Sequence, residues 1–169
     1  MIVQIKTDPD FQTLKRPEYQ GDAGYDLISY AEPEIVGTKK KNSKTLFESI
    51  DYIQYDTNVH IAPLDSFYAQ IYPRSSVSKY NLALANSVGV VDSGYRDSIK
   101  LRFKYIIQPE DLVVQDGKVY TKINQEKIYQ RGDKIGQLVW MTHFHPHVEF
   151  SIHLPPSDRG LGGFGSTGV

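Results

Sequence analysis

The sequence predicts an all-β protein built as a sandwich, jelly roll or small barrel. Three observations point there. The 169 residues include 12 Tyr and 7 Phe, which fall with many Val and Ile in short runs bounded by Gly, Pro, Asp and Asn. No segment carries an apolar stripe at the 3.6-residue period of an amphipathic helix. Asp116-Gly117, in VVQDGKVYTK, sits between two β-rich runs and is the strongest short hairpin signal in the chain. Many short strands with closely spaced turn signals suit two packed sheets or a closed barrel.

Strands are expected at 3–6, 25–30, 51–61, 67–72, 82–85, 99–107, 112–114, 119–123, 127–129 and 136–145. The best candidate for a short helix is 76–80. Two stretches read as excursions from the core. Residues 37–46, GTKKKNSKTL, are basic and polar and read as an exposed loop. Residues 108–130 are long for a plain connection, contain the Asp-Gly hairpin, and are expected to project from the body. There is no internal repeat.

Bulk properties narrow the function classes. The length suits one domain with a sizeable core. There is no cysteine, so neither disulfides nor thiolate metal sites contribute, which fits a reducing compartment. The start, MIVQIKTDPDF, lacks the basic and apolar regions of a signal peptide, and no apolar run reaches membrane-spanning length. The expected location is cytoplasmic. With 19 basic and 20 acidic residues, broad attraction to nucleic acid or to a membrane is not expected. An anionic ligand must be held by a few local cations and backbone amides.

Six stretches could carry chemistry. PRSSVSK, from Pro73, follows a strand-like run; a turn with Arg74, Ser75 and Ser76 before a helix start suits phosphate oxygens, while taken alone the stretch reads first as Ser75 or Ser76 serving as a plain N-cap. NSVGVVDSGYRDSIKL, from Asn86, ends an apolar run at Asp92 and then turns through Ser93-Gly94. Asp92 reads either as an Asx turn or as a carboxylate able to take a proton from water, with Tyr95 beside it. Asn86 can present a donor and an acceptor to a heterocycle edge. GDAGYDL places Asp22 and Asp26 around a glycine turn, where carboxylates could hold Mg²⁺ directly or through water. RGDKIGQLV leads from a turn into a strand with Gln137 in the apolar alternation; an adhesion role for Arg-Gly-Asp is set aside.

The tail, RGLGGFGSTGV, places five of the 13 glycines between Gly160 and Gly168. Glycines let backbone N–H groups approach phosphate, Arg159 adds charge, Ser166 and Thr167 add donors, and Phe164 offers a face for stacking. The tail is not a P-loop. It reads either as a frayed terminus or as a flap that orders over a ligand. In HFHPH, His143, His145 and His147 alternate; they read as a surface or subunit-interface face rather than as a metal site.

AGYDL, PRSSVSK, NSVGVVDSGY, GDKIGQLV and RGLGGFGSTG resemble, in order, the five motifs of the trimeric dUTPases (deoxyuridine triphosphate nucleotidohydrolases). The resemblance runs from Ala23 to Gly168. It implies a β jelly roll or distorted β-barrel, with the 108–130 hairpin inserted between the third and fourth motifs. It implies cleavage of dUTP to dUMP and pyrophosphate with Mg²⁺, keeping uracil out of DNA and supplying dUMP for dTMP synthesis. By position, Asp92 resembles the base that activates water, and Tyr95 the ring under the deoxyribose. Asn86, Val90, Val91 and Lys100 resemble the uracil reader, and Arg74, Ser75, Ser76 and Gln137 the phosphate contacts. Asp26 resembles the carboxylate that supports the metal through water. The flap at 158–169, with Arg159, Phe164, Gly165, Ser166 and Thr167, would come from another subunit of a homotrimer. Residues 1–157 would form the core.

Two positions depart from the family pattern: Asp97 stands where Gly is usual, and Gly136 where Ala is usual. Inserts of the second kind occur in some phage members, which suggests a phage origin and a host-cytoplasmic location. One rival is dCTP deaminase, which shares the fold but uses a Glu where this chain has Arg102 in SIKLRF. A cation cannot do that base's work. A second binding role, with a protein partner on the inserts, is compatible with a complete motif set.

Overall fold

The computed structural model describes residues 2–64, 66–158 and 160. Among the described residues thirteen strands follow one another. They are β1 (Gln4–Lys6), β2 (Leu14–Lys15), β3 (Gly24–Ile28), β4 (Glu34–Lys39), β5 (Leu46–Asp56), β6 (His60–Ala62) and β7 (Phe67–Tyr72), then β8 (Leu82–Leu84), β9 (Gly89–Val91), β10 (Lys100–Tyr105), β11 (Leu112–Gln115), β12 (Lys118–Lys122) and β13 (Lys134–Thr142). One sheet runs β2-β3-β13-β7-β9. A second is organised by the long strand β5, with β4 along one edge and β10 and β12 sharing the other; β8 extends it past β10 and β11 past β12. β1 and β6 form a separate pair. The pairings are antiparallel.

The period-two pattern makes the core. Along β10, Leu101, Phe103 and Tyr105 are buried while Lys100, Arg102 and Lys104 face out. Leu27, Ala69, Ile71, Val91 and Leu138 from the first sheet join Phe47, Ile53, Tyr55, Leu101 and Phe103 from the second in one cluster. A fully buried leucine such as Leu138 contributes about 1.5–3 kcal/mol over leaving it exposed.

Several expectations are corrected. The single strand expected at 51–61 is two. Asn58 takes φ 51°, its N–H donates to Asp56 Oδ1 at 2.7 Å, and the Thr57 hydroxyl donates to the Ile99 carbonyl at 2.7 Å. That local turn, hidden inside an alternating run, ends β5 and starts β6. The loop expected at 37–46 begins as strand, because Gly37 to Lys39 complete β4. The 127–129 strand is absent: Gln125–Lys127 is a 3₁₀ turn capped by the Asn124 side chain, and Ile128 and Tyr129 enter the core without pairing. β13 starts at Lys134 and stops at Thr142, short of the histidines. β2 and β4 were not foreseen as strands, and the short helix expected at 76–80 is a 3₁₀ turn, Ser75–Lys79.

The hairpin at Asp116-Gly117 forms as predicted. Both residues have positive φ, 54° and 72°, and Gln115 pairs with Lys118, which is a two-residue turn of the primed kind. The insert does not simply project. Thr121 and Lys122 pair with Phe47 and Leu46, so β12 extends the second sheet. Lys40 Nζ reaches Asp116 Oδ2 at 3.0 Å and lies 4.8 Å from the Tyr120 ring centroid, so the two excursions meet. At the insert's base the buried Asp111 carboxylate accepts from the Tyr105 hydroxyl and the Gln108 N–H, both at 2.8 Å.

Two glycines have steric reasons. A Cβ on Gly136 would fall 2.6 Å from Leu101 Cδ2, so glycine at this position leaves room for the Leu101 side chain on β10. A Cβ on Gly37 would fall 2.2 Å from the Ser49 backbone carbonyl, at an irregularity of the β4–β5 ladder. Backbone cannot rotate aside as a side chain can. Gly37→Ala is therefore expected to cost about 2–3 kcal/mol, read as a lowered urea midpoint.

Candidate active site

The first half of the site is the hairpin after β9. Val91 pairs with Ala69 of β7 and turns inward, while Val90 pairs with Gln70 and faces out. The strand stops at Asp92, whose side chain is exposed. The Tyr95 N–H donates to the Asp92 carbonyl at 3.1 Å and closes the turn over Ser93-Gly94. The Tyr95 hydroxyl donates to the Ser98 carbonyl at 3.0 Å, which fixes the ring along the hairpin. Arg96 fastens the same turn by donating to the carbonyls of Ser93 and Tyr95.

Asp97 keeps its carboxylate local. It accepts from the Ser98 N–H at 2.7 Å and from Lys100 Nζ at 3.2 Å. The Ser98 bond, then Lys100, hold its carboxyl below the ordinary value, and Asp97 in turn raises Lys100. Asn86, Val90, Val91, Asp92, Tyr95 and Lys100 line one cavity of about 430 Å³. These are all of the base-side residues expected from the sequence, brought together from β8–β9, the hairpin and β10.

The second half lies on the other strands of the first sheet. Lys15 pairs with Asp26, Asp26 with Gln137, and Gln137 with Tyr72, so four strands set four side chains in a row on one face. Arg74 follows just beyond Tyr72. Arg74 Nε lies 3.1 Å from Asp26 Oδ1, and Lys134 Nζ lies 2.7 Å from Asp26 Oδ2. Asp26 is only 15% exposed, and its Oδ1 is buried without a well-formed hydrogen bond. The surrounding cavity, about 880 Å³, is lined by the cations Lys15, Arg16, Arg74 and Lys134 and the carboxylates Glu18, Asp22 and Asp26. Opposed charges hold Arg74 and Lys134 in place while leaving the cavity able to receive an anion.

Ser75 and Ser76 form the start of the 3₁₀ turn whose N-cap position is Arg74, so neither serine is a plain N-cap. Lys15, Arg16 and Lys134 were not singled out from the sequence. Lys134 stood inside GDKIGQLV, but nothing in that string says it reaches Asp26. The flap residues Arg159, Phe164, Gly165, Ser166 and Thr167 lie outside the described residues.

The His143 and His145 rings are 4.5 Å apart and share a cavity with Tyr68, Ser93 and Asp92, whereas His147 faces Glu149 at 3.7 Å. The three do not converge as one ligand set. Arg131 and Asp133 are committed to their own turn: Arg131 Nε donates to the Tyr30 carbonyl at 2.9 Å, and Asp133 accepts from the Gln130 N–H at 2.8 Å. Arg102 lies over the Tyr52 ring at 4.4 Å and donates to Gln54 at 2.9 Å. It remains a guanidinium, with no proton-accepting role at a cytosine ring.

A family model described as dUTPase matches residues 12–168. A deoxyuridine 5'-triphosphate nucleotidohydrolase of Clostridium acetobutylicum is 30% identical, over 99% of this chain and 97% of its own length. One from Rickettsia rickettsii is 35% identical, over 90% of this chain and 88% of its own. Among solved structures, a Staphylococcus bacteriophage 80alpha dUTPase with dUpNHpp superposes with a TM-score of 0.71 at 22% identity, covering 99% of both chains. A dUTPase variant from phage phi11 of S. aureus, described as coordinating a structural Mg(II) ion, has a TM-score of 0.62 at 19% identity and covers 90% of this chain and 98% of that one. The two antiparallel sheets are the jelly-roll-like fold of those proteins, and the chain belongs to the dUTPase family.

Proposed function

We propose that this protein hydrolyses dUTP to dUMP and pyrophosphate, in a homotrimer whose sites are each shared between chains. One observation carries the reading: the base-side residues gather in one cavity and Asp26, Arg74 and Gln137 in another, with no lining residue in common. A nucleoside triphosphate offers both kinds of group in one molecule. The two halves serve one substrate if the phosphate half of one chain meets the hairpin of another.

A second feature supports association. From Phe144 to Leu154 the chain is unpaired, and its even positions other than Pro146, namely Phe144, Val148, Phe150, Ile152 and Leu154, are large apolar residues and exposed; Phe150 is 100% exposed. Alternation with one apolar face is the pattern of a strand that needs a partner. The described part of the chain offers it none, and a neighbouring copy would.

In this site Asn86 and the backbone at Val90 and Val91 read the uracil edge, and Lys100 closes the same rim. Tyr95, fixed by its bond to the Ser98 carbonyl, lies under the deoxyribose and leaves no room for a 2′-hydroxyl. Arg74, Ser75, Ser76 and Gln137 hold the phosphates, and Lys134 adds a cation. Asp92 takes a proton from water as its oxygen bonds to the α-phosphorus. The bond from that phosphorus to the α,β-bridging oxygen breaks, and pyrophosphate leaves. The flap, from Arg159 to Thr167, excludes bulk water and fixes the geometry.

The donor set fits magnesium. Mg²⁺ keeps most of its waters and takes one or two carboxylates plus substrate phosphates. Asp26 offers a carboxylate oxygen lacking a well-formed hydrogen bond beside the phosphate-side cations, which suits a metal-bound water. When bound, the metal supplies neutralisation of charge on the triphosphate. The cytoplasm, or a host's cytoplasm for a phage protein, supplies the substrate; no helix among the described residues is long and apolar enough to cross a membrane.

The test is pyrophosphate release from dUTP, dTTP, dCTP and UTP, with and without Mg²⁺. The expected result is release from dUTP alone, greatly reduced by chelation. Equal turnover of dTTP or UTP, or ammonia from dCTP, would contradict the assignment.

A further inference from the structure

Between the end of β9 at Val91 and the start of β10 at Lys100, residues 92–99 belong to no strand. This stretch carries Asp92 and Tyr95, so contacts other than a ladder must fix it. Its return arm is held by the turn between β5 and β6. The Thr57 hydroxyl and N–H both donate to the Ile99 carbonyl, at 2.7 and 3.2 Å, and the Ile99 N–H donates to the Val59 carbonyl at 2.9 Å. His60 donates from Nδ1 to the Arg96 carbonyl at 2.9 Å. The Ser98 hydroxyl donates to Asp56 Oδ1, which also accepts the Asn58 N–H. Thr57 and Val59 are fully buried, and Ser98 and Ile99 nearly so.

Ser98 is the centre of this arrangement, because its N–H, hydroxyl and carbonyl are each engaged. The N–H donates to Asp97, the hydroxyl to Asp56, and the carbonyl accepts the Tyr95 hydroxyl at 3.0 Å. Tyr95 lines the nucleoside-side cavity and is 41% exposed, so packing covers only part of its ring. The hydroxyl bond holds the far end of that ring, and it is only as fixed as Ser98 itself. Asp56 is the last residue of β5 and pairs with Lys100 of β10, so its carboxylate ties Ser98 to the second sheet. A bond to a carboxylate is stronger than one between neutral groups. The hairpin turn is already closed by the Tyr95 N–H and by Arg96. The Asp56–Ser98 bond is not needed for that closure, and it bears on the ring.

We propose that Asp56 and Ser98 are positioning residues for sugar selection. Asp56 holds the Ser98 side chain, the Ser98 carbonyl holds the Tyr95 hydroxyl, and the ring is thereby kept where a 2′-hydroxyl would have to fit. This rests on reading Tyr95 as the ring under the deoxyribose. It gives the unforeseen turn at Thr57-Asn58 a task in choosing the substrate.

Full-length Ser98→Ala, Asp56→Ala, Asp56→Asn, Tyr95→Phe and Tyr95→Ala are compared by dUTP kinetics, by UTP as a competitive inhibitor and by thermal melting. Selectivity is read as the UTP inhibition constant divided by the dUTP KM. Ser98→Ala, Asp56→Ala and Tyr95→Phe are each expected to narrow that ratio about three- to tenfold, the worth of one hydrogen bond. Asp56→Asn keeps the accepting oxygen and should restore the ratio to near the native value. Tyr95→Phe deletes only the hydroxyl of an exposed ring, so it reports on the bond even where a Ser98 or Asp56 variant fails to fold. Adding Ser98→Ala to Tyr95→Phe should narrow the ratio no further. If Tyr95→Ala narrows the ratio and Tyr95→Phe does not, the inference fails while the reading of Tyr95 stands. If Tyr95→Ala leaves the ratio native, both fail. A lowered Tm with an unchanged ratio in Ser98→Ala and Asp56→Ala would make both residues structural only and overturn the proposal.

Discussion

Asp92→Asn is expected to lower turnover about 10²- to 10⁴-fold while leaving dUTP binding nearly intact, the range that one general base supplies. The geometry makes this substitution unusually clean. The Asp92 carbonyl, not its side chain, closes the turn with the Tyr95 N–H, and Arg96 fastens that turn through the Ser93 and Tyr95 carbonyls. An asparagine of the same shape therefore leaves the hairpin, the Tyr95 ring and the cavity as they are. Only the capacity to take a proton is lost. Single-turnover kinetics and titration with a non-hydrolysable dUTP analogue separate the two quantities. A variant with near-native turnover would remove Asp92 from the base role.

Ending the chain at Asp158 is expected to leave the protein folded and associated but to lower kcat about a hundredfold or more, as loss of reactant positioning does. The buried core among the described residues ends at Leu138, and the exposed arm from Phe144 to Leu154 is retained. What is removed is Arg159, Phe164, Gly165, Ser166 and Thr167, the charge, stacking face and hydroxyl donors of the proposed flap. Sedimentation and melting should match the intact protein while turnover does not. Full activity in the shortened chain would refute the flap.

Much of the fold was legible because local chemistry dictated it. Asp116-Gly117 can reach positive φ at low cost, and β7 spans the expected Phe67–Tyr72. Edge strand β4 was obscured by the lysine run that starts at its last residue, Lys39, since lysines are typical of edges but also of loops. The break at Thr57-Asn58 was hidden because the turn depends on the distant Ile99 carbonyl. Tyr129 looked like strand because burial without pairing leaves the same apolar signature. The site residues were legible by motif, but their division between two cavities was not. Motif order carries no distance, and the pairing of Lys134 with Asp26 depends on how β13 lies against β3.

A site assembled from two chains can be rebuilt by mixing two inactive variants. Asp92→Asn spoils the base half and Arg74→Ala the phosphate half. Refolded together, they would form mixed assemblies of the proposed trimer, in which some sites pair an intact hairpin with an intact phosphate cavity. In the mixture dUTP hydrolysis is expected to return to a fraction of the native rate, although each variant alone is nearly inactive. Mixed trimers that stay as inactive as the separate variants would show that each site is built within a single chain.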